Sequence, residues 1–95
     1  MRKITEKSIE NFNNNKLYFG NNTEVLVENN VTKLYLFGHC IAKKENNKLF
    51  ITNCGYFTNT TKEHLNGLPN VKIYQKDSKW YLNNELWDGN WIEVK

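Results

Sequence analysis

Hydrophobic positions along the chain change their period three times. Over the first fifteen residues Ile9 and Phe12 stand three apart, the spacing of a narrow helical stripe, and Asn13-Asn14-Asn15 is a poor continuation. A helix over about residues 5–14 follows, with Thr5 as its N-cap and Ile4 and Ile9 closing as a hydrophobic staple. From Thr23 the period becomes two. TEVLVE and VTKLYLF flank Asn29-Asn30, and HCIAKKE and KLFITN flank Glu45-Asn46-Asn47, so two hairpins are expected over about residues 23–53. Alternation sets Leu34 and Leu36 on one face and Tyr35 and Phe37 on the other, and Gly38 is expected as a bend or bulge between the hairpins.

TNTTKEHLNGLP then reads as a second helix over about residues 59–67. Thr60 and Glu63 fit a capping box, Asn66-Gly67 a C-terminal stop, and Pro69 forbids continuation. The last third, 71–94, alternates short β-rich runs with turns at Asp77-Ser78, Asn83-Asn84 and Asp88-Gly89, the pattern of a meander. The fold class expected is α+β: a twisted antiparallel sheet of about six or seven short strands, open or curling toward a barrel, with two short helices against it.

At 95 residues the chain has room for one core, so residues 1–95 are read as a single domain. Aromatic residues make up 14%, enough to fold without staples. Seventeen Asn and twelve Lys stand against one Arg and one Pro, a skew that AT-rich coding would produce and that is read as coding bias first. The formal net charge of +3 is spread along the chain and permits a polyanion partner without demanding one. No apolar run is long enough to span a bilayer and the N-terminus lacks a signal-peptide core, so no membrane partner and a cytoplasmic location are expected.

Candidate chemistry is sparse. Cys40 and Cys54 with His39 and His64 lack the close pairs of a zinc site, so no metal is expected and buried free thiols are the simpler reading. A disulfide fails on register: a two-residue turn at Asn46-Asn47 pairs positions summing to 93, one short of Cys40 with Cys54, and a reducing compartment disfavours the bond. His39 and Cys40, adjacent in a strand, point to opposite faces. No catalytic residue and no cofactor are therefore assigned, and the protein is expected not to be an enzyme.

Two binding features are better motivated. The second helix opens Thr58-Asn59-Thr60-Thr61-Lys62, where free backbone N–H groups with hydroxyls and a lysine could hold a phosphate, although the same residues serve as ordinary capping. VKIYQKDSKWYL interleaves aromatic and basic residues as single-strand stacking platforms do, with Tyr74, Trp80 and Tyr81 as the candidate stackers, although burial of such rings is the commoner outcome. The binding set carried forward is Tyr56, Thr58, Thr60, Thr61, Lys62, Tyr74 and Trp80. The function expected is an accessory binding module for nucleic acid or a nucleotide. The alternative is an interaction factor that captures another protein by an aromatic patch or sheet edge, and unpaired edges also suit a homodimer.

The stretches IAKKENNKLFITNCGYFTNTTKEHLNGLPNV and WYLNNELWDGNWIEV, with the leading ITEKSIENF, resemble a family of small domains of unknown function widespread in tailed bacteriophages and prophages. That resemblance implies a phage-encoded protein in the cytoplasm of an infected or lysogenic bacterium, so that the partner in the alternative reading would be a host or phage protein. It implies no catalytic residues, and this chain carries His64 and Cys54 where the family pattern has Arg and a small residue.

Overall fold

A computed structural model describes residues 3–20 and 22–94, with side chains from Thr5 onward outside the masked position 21. Helix α1, Lys3–Asn13, begins earlier than expected, so Thr5 lies inside it and is buried rather than capping it. The Ile4 half of the predicted staple falls outside the described side chains. The helix stops where the asparagines begin. Asn15 takes φ 56°, Lys16 N donates to Asn11 O at 2.9 Å and Asn15 N to Phe12 O at 3.2 Å, a Schellman closure with asparagine in the left-handed position. Lys44 completes this end by donating to Asn13 O at 3.0 Å, and burial pulls its ammonium below the ordinary lysine range.

Five strands follow: β1 (Tyr18–Phe19), β2 (Thr23–Glu28), β3 (Val31–Leu36), β4 (His39–Glu45) and β5 (Lys48–Ile51). The hairpin turns between β2 and β5 share one geometry. Asn29 and Asn30, Phe37 and Gly38, and Asn46 and Asn47 all have positive φ at both central positions, the requirement of the type I′ turn that matches strand twist. Phe37-Gly38 is thus a tight turn, and the bulge lies further on. The β3–β4 ladder pairs Leu34 with Ala42 but Tyr35 with Cys40, which leaves Ile41 as the extra residue. Ile41 and Ala42 are accordingly both buried, and His39, opposite Leu36, is turned to the inner side.

After α2 (Asn59–Asn66) the C-terminal third departs from a single meander. β6 (Ile73–Lys76), β7 (Lys79–Leu82) and β8 (Glu85–Trp87) form a separate three-stranded antiparallel sheet, whereas β9 (Ile92–Val94) returns to pair with β5. The large sheet therefore runs β1-β2-β3-β4-β5-β9 and does not close into a barrel. Asp88-Gly89 is a corner rather than a hairpin. Thr52 Oγ1 and Asn53 N both donate to Gly89 O, at 2.6 and 3.0 Å, and the Trp87 indole donates to Asn90 O at 2.9 Å.

The inner face of the large sheet, the two helices and the small sheet share one apolar cluster. Phe12, Val25, Leu34, Ile41, Ile51, Leu65, Ile73, Trp80 and Trp87 belong to it. Among the described residues no helix is long and apolar enough to cross a membrane.

Gly89 is the least replaceable residue of the corner. It sits at φ 90° and a Cβ there would overlap the Asn53 amide. Gly89→Ala is expected to cost about 2–4 kcal/mol, from left-handed strain plus overpacking, measured as a lowered urea midpoint.

Candidate functional site

The strongest site grows out of the segment that joins β5 to α2. Cys54 and Gly55 occupy a turn with φ 56° and 83°, closed by Tyr56 N donating to Asn53 O at 2.8 Å. The Asn53 side chain reinforces the turn by accepting from Gly55 N at 2.9 Å. That bond settles the amide's orientation. Oδ1 must be the atom facing Gly55, so Nδ2 is the other end, and it is the buried side-chain donor without an acceptor among the described residues. Asn53 itself is 1% exposed.

The turn delivers Tyr56 to His39, with Tyr56 Oη and His39 Nε2 at 3.0 Å and the ring centroids 4.7 Å apart. Two residues on, Thr58 caps α2. Its backbone is extended (φ −111°, ψ 158°) and its hydroxyl accepts from Thr61 N at 3.2 Å. The cap is therefore Thr58 and not the predicted Thr60. The Thr58 and Thr61 hydroxyls also meet at 3.0 Å, and since one proton serves that bond, the other hydroxyl proton can turn elsewhere.

Tyr56, Thr58, Thr60, Thr61 and Asn53 line one cleft of about 270 Å³ with Leu36, Phe37, His39 and Ile41. Four of the seven predicted binding residues are thus brought together. His64 lies outside the lining: Nδ1 faces Thr60 O at 2.8 Å and so carries the proton, and Nε2 lies 3.4 Å from Thr23 Oγ1.

The other three predicted residues go elsewhere. Trp80 is 2% exposed, with Phe57 edge-on at 5.1 Å, so it is a core residue and no stacking surface for a base. Lys62 lies with Nζ 5.8 Å from the centre of that indole and does not line the cleft. Tyr74 stacks on Tyr81 at 5.2 Å on the small sheet. A lysine between two rings occurs instead on the outer face of the large sheet, where Lys43 Nζ is 5.4 Å from Phe50 and 5.3 Å from Trp91.

Asn53, Phe37 and His39, with the apolar Leu36 and Ile41, are the cleft residues that sequence reasoning missed. An Asn-Cys-Gly turn ahead of a helix cap was the available signal for the first. The bulge that turns His39 inward leaves no mark in the pattern.

With this geometry in place, comparison with known proteins supplies a lineage. Residues 1–94 match the family model described as Kyanoviridae Gp96 protein. The chain belongs to this family. No curated protein and no solved structure matches it significantly. The Kyanoviridae Gp96 family is a phage protein family of unknown function, narrower than the broad tailed-phage grouping that the sequence resembles.

For this family member the cysteines also differ from expectation. Both are free, but Cys54 is exposed and Cys40 only partly covered, and the β4–β5 register sums to 93 as predicted. Burial pushes the Cys40 thiol up, opposed by a backbone hydrogen bond at Ala42 and by Lys33 and Lys43. Among the described residues no three His, Cys, Asp or Glu side chains gather as a metal ion would need. A raised pKa lowers the thiolate fraction at neutral pH, so iodoacetamide at pH 7.5 is expected to alkylate Cys54 well before Cys40. Peptide mass mapping of a time course checks the order, and faster labelling of Cys40 would contradict it.

Proposed function

We propose that the protein is a phage accessory binding module, acting in the cytoplasm of the infected bacterium, that holds a nucleotide unit in the cleft at the start of α2. The observation that carries this reading is the meeting of an aromatic wall with unspent donors. Tyr56 on His39 and the neighbouring Phe37 offer ring faces. The same cleft is lined by the first turn of α2, where Thr61 N is taken by the Thr58 cap and the N–H groups of Asn59 and Thr60 have no intrahelical acceptor, and by Asn53 with its buried Nδ2. A base against the rings and a phosphate or carbonyl oxygen on the donors uses both halves.

Size refines the ligand. The cleft is smaller than the roughly 300–1,000 Å³ of sites that enclose a whole small molecule. It therefore suits one ring system and its nearest oxygens, with the rest of a nucleotide or strand outside. Phe37 supports a binding role in another way. It holds φ 51° while 62% exposed, a conformation that bulky residues rarely take, at a turn position where asparagine stands in the β2–β3 and β4–β5 hairpins. Strain retained in an exposed ring at the lip of a cleft fits selection for contact rather than for stability.

Calorimetric titration with nucleoside monophosphates, nucleoside triphosphates and a single-stranded oligonucleotide tests the reading. Saturable binding is expected, and Tyr56→Ala should weaken it roughly 5- to 150-fold, the range of about 1–3 kcal/mol for a stacked base. Lys62→Glu, outside the cleft, should change it far less. A steep fall with salt identifies a strand as the ligand, a shallow one a free nucleotide. Absence of heat with every ligand, or a Tyr56→Ala variant that binds like the parent, would refute the proposal.

A further inference from the structure

The two sheets have four outer edges, and the fold treats them differently. β1 ends the large sheet with only two paired residues. At the outer edge of β6 the Asn66 side chain takes the place of a strand, with Oδ1 accepting from Ile73 N at 2.6 Å and Nδ2 donating to Ile73 O at 3.0 Å. β8 and β9 have no outer partner strand among the described residues, and both open onto one groove of about 580 Å³.

Antiparallel alternation shows which backbone groups are free there. Leu82 and Glu85 close the two-residue turn as a bonded pair, so Leu86 turns its N–H and C=O away from β7. Thr52 N donates to Ile41 O at 2.8 Å, which sets the phase of β5: Ile51 faces β9, its pair with Ile92 takes those bonds, and Glu93 turns its N–H and C=O outward. Leu86 and Glu93 both line the groove. Leu86 is 64% exposed and Ile92 is also exposed, so the wall offers apolar contact at its rim.

The charge of the groove selects its occupant. Among the described residues its lining holds Glu85 and Glu93 and no lysine or arginine, on a chain of net charge +3. A nucleic-acid strand would meet carboxylates. A second copy pairing through the same edges would bring like charges together. We propose that the groove between β8 and β9 takes an extended peptide by strand addition, one in which apolar side chains alternate with Lys or Arg. Main-chain bonds to Leu86 and Glu93 supply the pairing, Leu86 and Ile92 receive the apolar positions, and Glu85 and Glu93 receive the basic ones.

Selection of a random decapeptide display library on the immobilised full chain, followed by fluorescence anisotropy of the enriched peptide, tests this. The expected consensus alternates apolar and basic residues. Leu86→Pro removes one outward N–H and no bond to β7, so it should lower affinity about ten-fold while circular dichroism and melting stay unchanged. Glu93→Lys, with its fold checked by the same dichroism and melting, should turn the selection toward acidic peptides, and Tyr56→Ala in the other cleft should leave peptide affinity as it was. No enrichment, enrichment without basic residues, or unchanged preference in Glu93→Lys would overturn the proposal. A dimer by light scattering that Glu93→Lys dissociates would overturn it too, since a second copy would then own the groove.

Discussion

Register is the constraint on which the molecule depends, and short turns set it. Five hairpins, at Asn29-Asn30, Phe37-Gly38, Asn46-Asn47, Asp77-Ser78 and Asn83-Asn84, place both central residues at positive φ. A two-residue turn of this kind leaves no slack between its strands. A slip by one position would carry Val25, Leu34 and Ile51 from the buried face to the outer face and empty the core. Asparagine suits these positions because its short amide tolerates the left-handed region that branched side chains avoid.

Two local departures from regular register then create the places where binding is proposed. The extra residue at Ile41 rotates the end of β4, so that His39 faces the helix side and can meet Tyr56. The corner at Gly89 sends the chain from the small sheet back to the large one, and its carbonyl holds Thr52 and Asn53. Asn53 thereby joins two jobs: its backbone is tied to the corner, and its side chain shapes the turn that presents Tyr56 and Thr58. The same corner separates β8 from β9 and leaves their edges facing one groove. A cleft with ring faces and a groove with carboxylates thus share the Gly89 corner, and their opposite chemistry suits different ligands.

Much of this was legible in the sequence. The α+β class, both helices, the paired hairpins and the alternation within them follow from period and turn residues, and burial of Ile9, Phe12, Leu34 and Leu36 agrees with it. What was hidden depends on distant partners. β1 is only two residues and carries no pattern. β9 looks like the last strand of a meander until Gly89 meets Asn53 across more than thirty positions. The abundance of asparagine was legible but read as coding bias, whereas among the described residues eight asparagines hold positive φ, at turns and at the end of α1. For the cleft, the hydroxyl run from Thr58 was visible and its aromatic wall was not. Trp80 was misplaced as a stacking candidate because alternation tells which rings share a face, not which face is covered.

The claim that positive φ in the turns fixes the sheet is tested most directly at Asn47, whose φ is 62°. Urea unfolding of Asn47→Gly and Asn47→Val compares a residue free to take that conformation with one that favours strands. Glycine should keep the parent midpoint or raise it, and valine should lose about 1–2 kcal/mol despite its β propensity. Equal stability of the two variants would contradict the account, because the turn would then be following the strands rather than setting them.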